Sequence, residues 1–240
     1  MSDATRTASQ ADTRDKVIEV AARLLREDGP AAVTTRGVAK GAGIQAPTIY
    51  RLFGDKEGLL EAVAEHAMAG FVSAKAAVVE AAEAQNVDPL DDLRAGWQTQ
   101  IEFGLGNPAL FRLLSDPSRV VNSPAARLGK QVLDARMHRV ALTGRLRVSE
   151  QRAVGLFQAA GIGATATLLA TPPDDRDLGL ADAIYDAVLA QILTDAPSAS
   201  TGEPIPAAVA LRAIAPQLDV LSDAERLVLA EWLDRVIDAR

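Results

Sequence analysis

Cysteine is absent from the sequence, and with it go disulfides, cysteine-ligated metals and thiol nucleophiles. Histidine occurs only at His66 and His138, far apart and in no metal-ligating spacing. Aromatic residues make up 4% of the chain, so its core must be built mainly of Ala, Leu and Val. Such small side chains favour closely packed helices. No segment alternates apolar and polar residues as a half-buried strand does. There is no nucleophile elbow, phosphate loop or dinucleotide-binding glycine pattern, so the sequence offers no catalytic residue, no metal site and no cofactor. The polar start MSDATRTASQADTR is not a signal peptide, and no apolar run stands out as long enough to span a bilayer. These absences predict a soluble, cytoplasmic, non-enzymatic protein with no membrane partner.

What is present is 240 residues, 48% of them hydrophobic, enough for a real core and more than one part. The formal net charge of -7 argues against a nucleic-acid partner. The charge is unevenly spread, however. Residues 1–60 hold nine Lys/Arg against eight Asp/Glu, so the acidity lies in the remainder. Arg36, Lys40, Arg51 and Lys56 have no acidic neighbours except Asp55 and Glu57.

The periodicity predicts helix after helix. The first runs from about Thr13 to Asp28, with Val17, Ala21, Leu24 and Leu25 on one face and Gly29-Pro30 as its stop. A short helix at 35–41 and another at 45–52 follow, then a long one from Asp55 to about Ala84. Asp88-Pro89, Asn107-Pro108 and Ser123-Pro124 each join a capping side chain to a proline in the first turn, where its missing N–H costs nothing. They predict helices at 89–104, 108–115 and 124–147. Ser149 opens a helix that ends before Pro172-Pro173, and a further helix covers 174–194. PSASTGEPIP, 197–206, has the composition of a linker. Ser222 and Glu225 form a capping box for a terminal helix with Leu229, Trp232, Leu233 and Val236 facing inward.

Between Thr35 and Leu52 the pattern is helix, turn, helix. Val38, Ala42, Ile44, Ile49 and Leu52 fall where side chains point into the angle between the two helices. Ala39 lies at their closest approach, and Gly43 supplies the turn. Gln45, Ala46, Pro47, Thr48, Tyr50 and Arg51 are left facing outward from a helix of the size that enters a major groove. Gln45, Thr48 and Arg51 are then candidates for base edges, and Tyr50 for phosphate. Thr35, Arg36 and Lys56 stand at helix starts, where free amides attract phosphate.

The segment TTRGVAKGAGIQAPTIYRLFGDKEGLLEAV, 34–63, resembles the DNA-binding segment of the TetR family of transcription regulators. The resemblance rests on the Thr-Thr opening, Val38-Ala39, Ala42-Gly43-Ile44, Thr48-Ile49-Tyr50, Phe53 and Lys56-Glu57, and with the first helix it covers about residues 12–63. It implies an all-α fold: an N-terminal three-helix DNA-binding domain with a helix-turn-helix, and a larger C-terminal helical domain for ligand binding and dimerisation. Function would then be that of a repressor holding a palindromic double-stranded DNA operator as a homodimer and released by a small-molecule effector. Two departures stand out. Gln45 replaces the family's usual serine, which weakens the helix cap, and Pro47 replaces a small residue.

On this reading the domains are a disordered N-terminal arm at 1–12, the DNA-binding domain at 13–60, the ligand-binding and dimerisation domain at 61–195, and a linker with a helical extension at 196–240. Among so many alanines, the large side chains Phe71, Trp97, Ile101, Phe103, Phe111, Met137 and Phe157 are candidates to line an apolar cavity, with Gln100 and His138 as polar contacts. The Gly/Ala-dense run at 155–169 and Leu180, Ile184, Val188 and Ile192 suggest a four-helix dimer interface through helices at 149–171 and 174–194. Two other function classes remain: a helical protein-interaction adaptor that has lost DNA binding and, less favoured, a helical enzyme.

Overall fold

The computed structural model describes residues 2–29, 31–115, 123–195 and 204–239, and side chains within these from residue 11 onward except that of residue 113. Among them the helices are α1 (Ser2–Asp28), α2 (Thr35–Ala42), α3 (Ala46–Phe53), α4 (Lys56–Ala84), α5 (Pro89–Gly106), α6 (Pro108–Leu114), α7 (Pro124–Leu142), α8 (Glu150–Ala170), α9 (Gly179–Ile192), α10 (Pro204–Ile214) and α11 (Asp223–Asp238). The described residues contain no strand, only an isolated antiparallel bridge between Leu146 and Leu193. The all-α architecture expected from the sequence is the one observed.

The chain forms two compact units. One comprises Met1–Ala74 with Gly106–Gly129, the other Lys75–Leu105 with Lys130–Arg240. In the first, Val17, Ile18, Ala21, Ala22 and Leu25 of α1 are buried together with Val38, Ala39, Ala42 and Ile49 of α2 and α3. Glu65 of α4 caps the start of α7 there, accepting from Ser123 Oγ at 2.5 Å and from the Ala125 amide at 2.7 Å. In the second unit the core joins Leu93, Trp97 and Ile101 of α5 with Met137 and Val140 of α7, Phe157 and Leu168 of α8, and Tyr185 and Ile192 of α9. Val209 of α10 and Ile237 of α11 belong to the same cluster. The C-terminal extension is thus part of the second unit's core.

Several expectations need correction. The first helix begins at Ser2 rather than Thr13, so the segment expected as a disordered arm forms its opening turns. α7 stops at Leu142 because Gly144, at φ +70°, turns the chain away. The chain then pairs with the end of α9: Arg147 N donates to Ile192 O at 2.9 Å and Thr194 N to Arg145 O at 2.8 Å. α9 begins at Gly179, after a 3-10 turn at Pro173–Asp175, with Asp177 accepting from the Gly179 amide. Pro204, Ile205 and Pro206 open α10 instead of belonging to a linker, while 197–203 lie outside the described residues.

In α11 the face is rotated from the expected one. Ile237 is buried and Leu229 and Leu233 are half-buried, but Trp232 and Val236 are exposed. Leu180, Ile184 and Val188 of α9 pack on their own unit's core, not outward.

The membrane expectation also needs revision, since α4 and α8 reach mean hydropathies of 1.2 and 1.5, long and apolar enough to cross a bilayer by composition alone. Part of each packs against protein: Val63 and Val72 of α4 and Phe157, Ala164 and Leu168 of α8 are buried. α4 also carries Glu65, bonded as above.

Candidate nucleic-acid interface

Each boundary of the helix-turn-helix has a local cause. Thr34 precedes α2 with an extended backbone, and its Oγ1 accepts from the Gly37 amide at 3.0 Å. Gly43 ends α2 in the left-handed region at φ +70°, costly for a residue with a Cβ, and lets the Ile44 amide reach back to Ala39 O at 3.0 Å. Gln45 then opens α3 with no side-chain cap, followed by Ala46 and Pro47 in the first turn. Asp55 starts α4 by accepting from the Gly58 amide at 2.8 Å. Gly58 is pressed so close to the Phe53 carbonyl that a Cβ there would collide with it. The corner from α3 into α4 is therefore tight.

With Val38, Ala39, Ala42 and Ile49 buried in the angle, and Ile44 and Leu52 half-buried beside them, Gln45, Pro47, Tyr50 and Arg51 are exposed. Ala46 and Thr48 are half-buried. Thr35, half-buried at the start of α2, brings its Oγ1 within 3.4 Å of the Tyr50 hydroxyl. Arg36, Lys40 and Lys56 are exposed. The candidates at 45–51 thus share one short helix, and Thr35 joins them through Tyr50. A face of this kind presents hydroxyls, an amide and a guanidinium in the size range of a major groove. Lys56 is the first residue of α4, where the positive end of the helix dipole adds to its own charge.

Two contributors escaped the sequence reading. Arg14 of α1 stacks over the Phe53 ring at 5.3 Å, a pairing with no local sequence signal. Thr34 caps α2 and was visible as a short polar residue just before a helix, while Asp55, where the sequence placed the start of the long helix, caps α4.

The cavity candidates are divided between the units. Phe71 and Phe111 belong to the first; Trp97, Gln100, Ile101, Phe103, Met137, His138 and Phe157 belong to the second. There Trp97 and Phe157 meet edge to face at 5.1 Å, and Tyr185, which the sequence reading passed over, completes the cluster at 5.6 and 5.9 Å. Burial pushes the Tyr185 phenol up to about 12, so it stays protonated. Ile101 and Met137 are buried and Phe103 is half-buried. His138 faces Glu150 at 3.3 Å. Gln100 accepts from Lys75 Nζ at 3.1 Å. Lys75 was missed although a lone lysine in FVSAKAAVV is conspicuous. Among the described residues no three His, Cys, Asp or Glu side chains are grouped to hold a metal.

Residues 17–63 match the model of the family described as "Bacterial regulatory proteins, tetR family". No curated protein matches the sequence. Among solved structures, RolR in complex with resorcinol is 20% identical over 81% of this chain and 93% of its own, with a TM-score of 0.59. A TetR-family transcriptional regulator from Agrobacterium tumefaciens is 20% identical over 77% of this chain and 100% of its own, with a TM-score of 0.52. The superantigen PfiT is 19% identical over 76% and 97%, with a TM-score of 0.53. At these identities the likeness is one of fold, and PfiT makes plain that the fold serves more than one end.

Proposed function

We propose that this chain, whose residues 17–63 match the family of bacterial tetR regulatory proteins, is a ligand-responsive DNA-binding transcription regulator, and that its own residues carry that role as follows. The observation that carries the proposal is the exposed side of α3, raised over a buried angle by the Gly43 turn. α3 enters the major groove, with Gln45 and Thr48 at base edges and Arg51 at guanine or phosphate. Ala46 and Pro47 bring the helix start close to the bases. Tyr50, steadied by Thr35, together with Arg36 and Lys56, holds phosphates.

The functional species is a homodimer that presents two such helices roughly 34–36 Å apart, matching a palindromic operator. Support for the dimer face comes from α8 and α9, whose exposed sides carry Gly155, Ala159, Ile162, Gly163 and Ala166, and Ala183, Ala187 and Ala190. Small residues let two-fold related helices approach closely. The second unit receives a small-molecule effector, and the protein is a soluble, cytoplasmic, non-enzymatic repressor. Effector binding displaces α4, which begins at the DNA-binding corner and runs on into the second unit, and the two recognition helices lose register.

An electrophoretic shift with DNA from upstream of the protein's own gene tests this reading. The expected result is a salt-sensitive complex that competitor DNA of unrelated sequence does not abolish. The near balance of charge in residues 1–60 is the observation that keeps the adaptor reading as the alternative. That reading takes over if neither this DNA nor a random-sequence selection yields a specific complex.

A further inference from the structure

The buried side of α5 places three residues together in the second unit. At about 100° per residue, Gly96, Trp97 and Gln100 fall within an arc of about 100°. The Arg136 guanidinium of α7 lies against Gly96 so closely that a Cβ would collide with it. One turn further on, Gln100 accepts from Lys75 Nζ. Asp92 Oδ1 accepts from Arg136 Nε at 3.2 Å, and Asp92 Oδ2 from Arg139 Nη1 at 2.9 Å, so two guanidiniums share one carboxylate. Trp97 is 2% exposed, and its indole Nε1 is the one buried side-chain nitrogen or oxygen among the described residues with no hydrogen-bond partner. A buried N–H without an acceptor calls for a reason. The Cζ3 edge of the indole faces Gly161 of α8, so the Nε1 corner points away from that helix. The Arg136 guanidinium at Gly96 and the Lys75 ammonium at Gln100 thus flank Trp97 along α5, whose ring belongs to the aromatic cluster.

We propose that the second unit takes a small organic carboxylate, its charged end received by Lys75, Arg136 and the indole N–H of Trp97, and its apolar body by the Trp97, Phe157 and Tyr185 rings. The proposal rests on the reading of that unit as the effector-binding part. Burial, and then the charge of Arg136, bring the Lys75 ammonium down to about 8. An anion beside it opposes both effects and holds the proton on. Carboxylate binding is therefore level below pH 8 and weakens above it as Lys75 loses its proton in the unliganded protein.

The test uses the full chain carrying Trp232→Phe, which leaves Trp97 as its sole tryptophan. Benzoate, salicylate, phenylacetate and octanoate are titrated beside their primary amides, following indole fluorescence and melting temperature. The expected result is that at least one acid shifts both signals and binds at least about tenfold tighter than its amide. Its affinity falls by about tenfold per pH unit above pH 8, and Lys75→Met weakens it by about tenfold or more while Lys75→Arg restores part of the loss. Amides binding as tightly as acids, or acid binding that survives Lys75→Met, overturns the carboxylate assignment and leaves the effector role of the unit standing. Silence from every acid and amide also overturns the assignment, and a melting-temperature screen of other neutral compounds then decides the effector role separately.

Discussion

Asp92 shows how much can depend on a single side chain. It is 3% exposed, and with Arg136 at 4% the pair is withdrawn from water, with Arg139 closing the other carboxylate oxygen and donating to Val87 O. Removing the carboxylate strands two cations, so Asp92→Ala should lower stability by about 3–5 kcal/mol in urea denaturation. Lys75 acts with the opposite sign. Its native pKa of about 8 lies below the ordinary 10.5, so between those values the unfolded chain binds the extra proton. Without ligand, its contribution to stability should therefore rise with pH through that window. Lys75→Met should remove the rise and stabilise the protein at pH 7 by at most about 3 kcal/mol. At the DNA face, Lys56→Ala should weaken binding to all sequences and reduce the salt slope by about 1, whereas Gln45→Ala or Thr48→Ala should change which sequence is preferred. Fluorescence anisotropy at several salt concentrations separates the two behaviours, and an unchanged slope for Lys56→Ala would remove its phosphate role.

At the level of the element, the sequence was most legible where a boundary has a local chemical cause. Ser149 caps α8 through the Arg152 amide, and Ser222 with Glu225 forms the reciprocal box at α11, both as their spacing indicated. Ser222 holds the Glu225 carboxyl below the usual range by side-chain and then backbone hydrogen bonds. Ser222→Ala should cost about 1 kcal/mol by thermal denaturation. The helix-turn-helix was legible for the same reason: Gly43, Ala39 and Ile49 are constrained by neighbours only a few residues away. What the sequence hid was which way the apolar faces of two later helices, α9 and α11, would turn. In α11 the choice between Leu229, Leu233 and Ile237 inward or Trp232 and Val236 inward is made by α10, which lies outside the local pattern. In α9, likewise, Leu180, Ile184 and Val188 serve the unit's own core and leave alanines at the surface.

On the scale of the whole molecule, the division into units follows the path of long helices and not a break in composition. α4, α5 and α7 each begin in one unit and end in the other, so no linker marks the boundary that was expected near residue 60. The residues proposed to face DNA were readable as a group because they are close in sequence. Lys75, Asp92, Arg136 and Tyr185 were not readable as a group, because only the tertiary fold brings them near one another. Assembly supplies the prediction at this scale. Ile162, 42% exposed at the middle of the small-residue face of α8, should tolerate arginine in a monomer but not within a packed two-fold interface. Sedimentation should show Ile162→Arg shifting a dimer toward monomer at micromolar concentration, with operator affinity falling in parallel.

The uncapped start of α3 carries a consequence for how this protein could be improved or spoiled. A serine at position 45 would close the first turn on itself and add about 1 kcal/mol of helix stability. The longer glutamine leaves that turn looser and spends its amide outside the fold. A Gln45→Ser variant should therefore melt later and discriminate less among targets, the familiar exchange of robustness for selectivity located in one side chain.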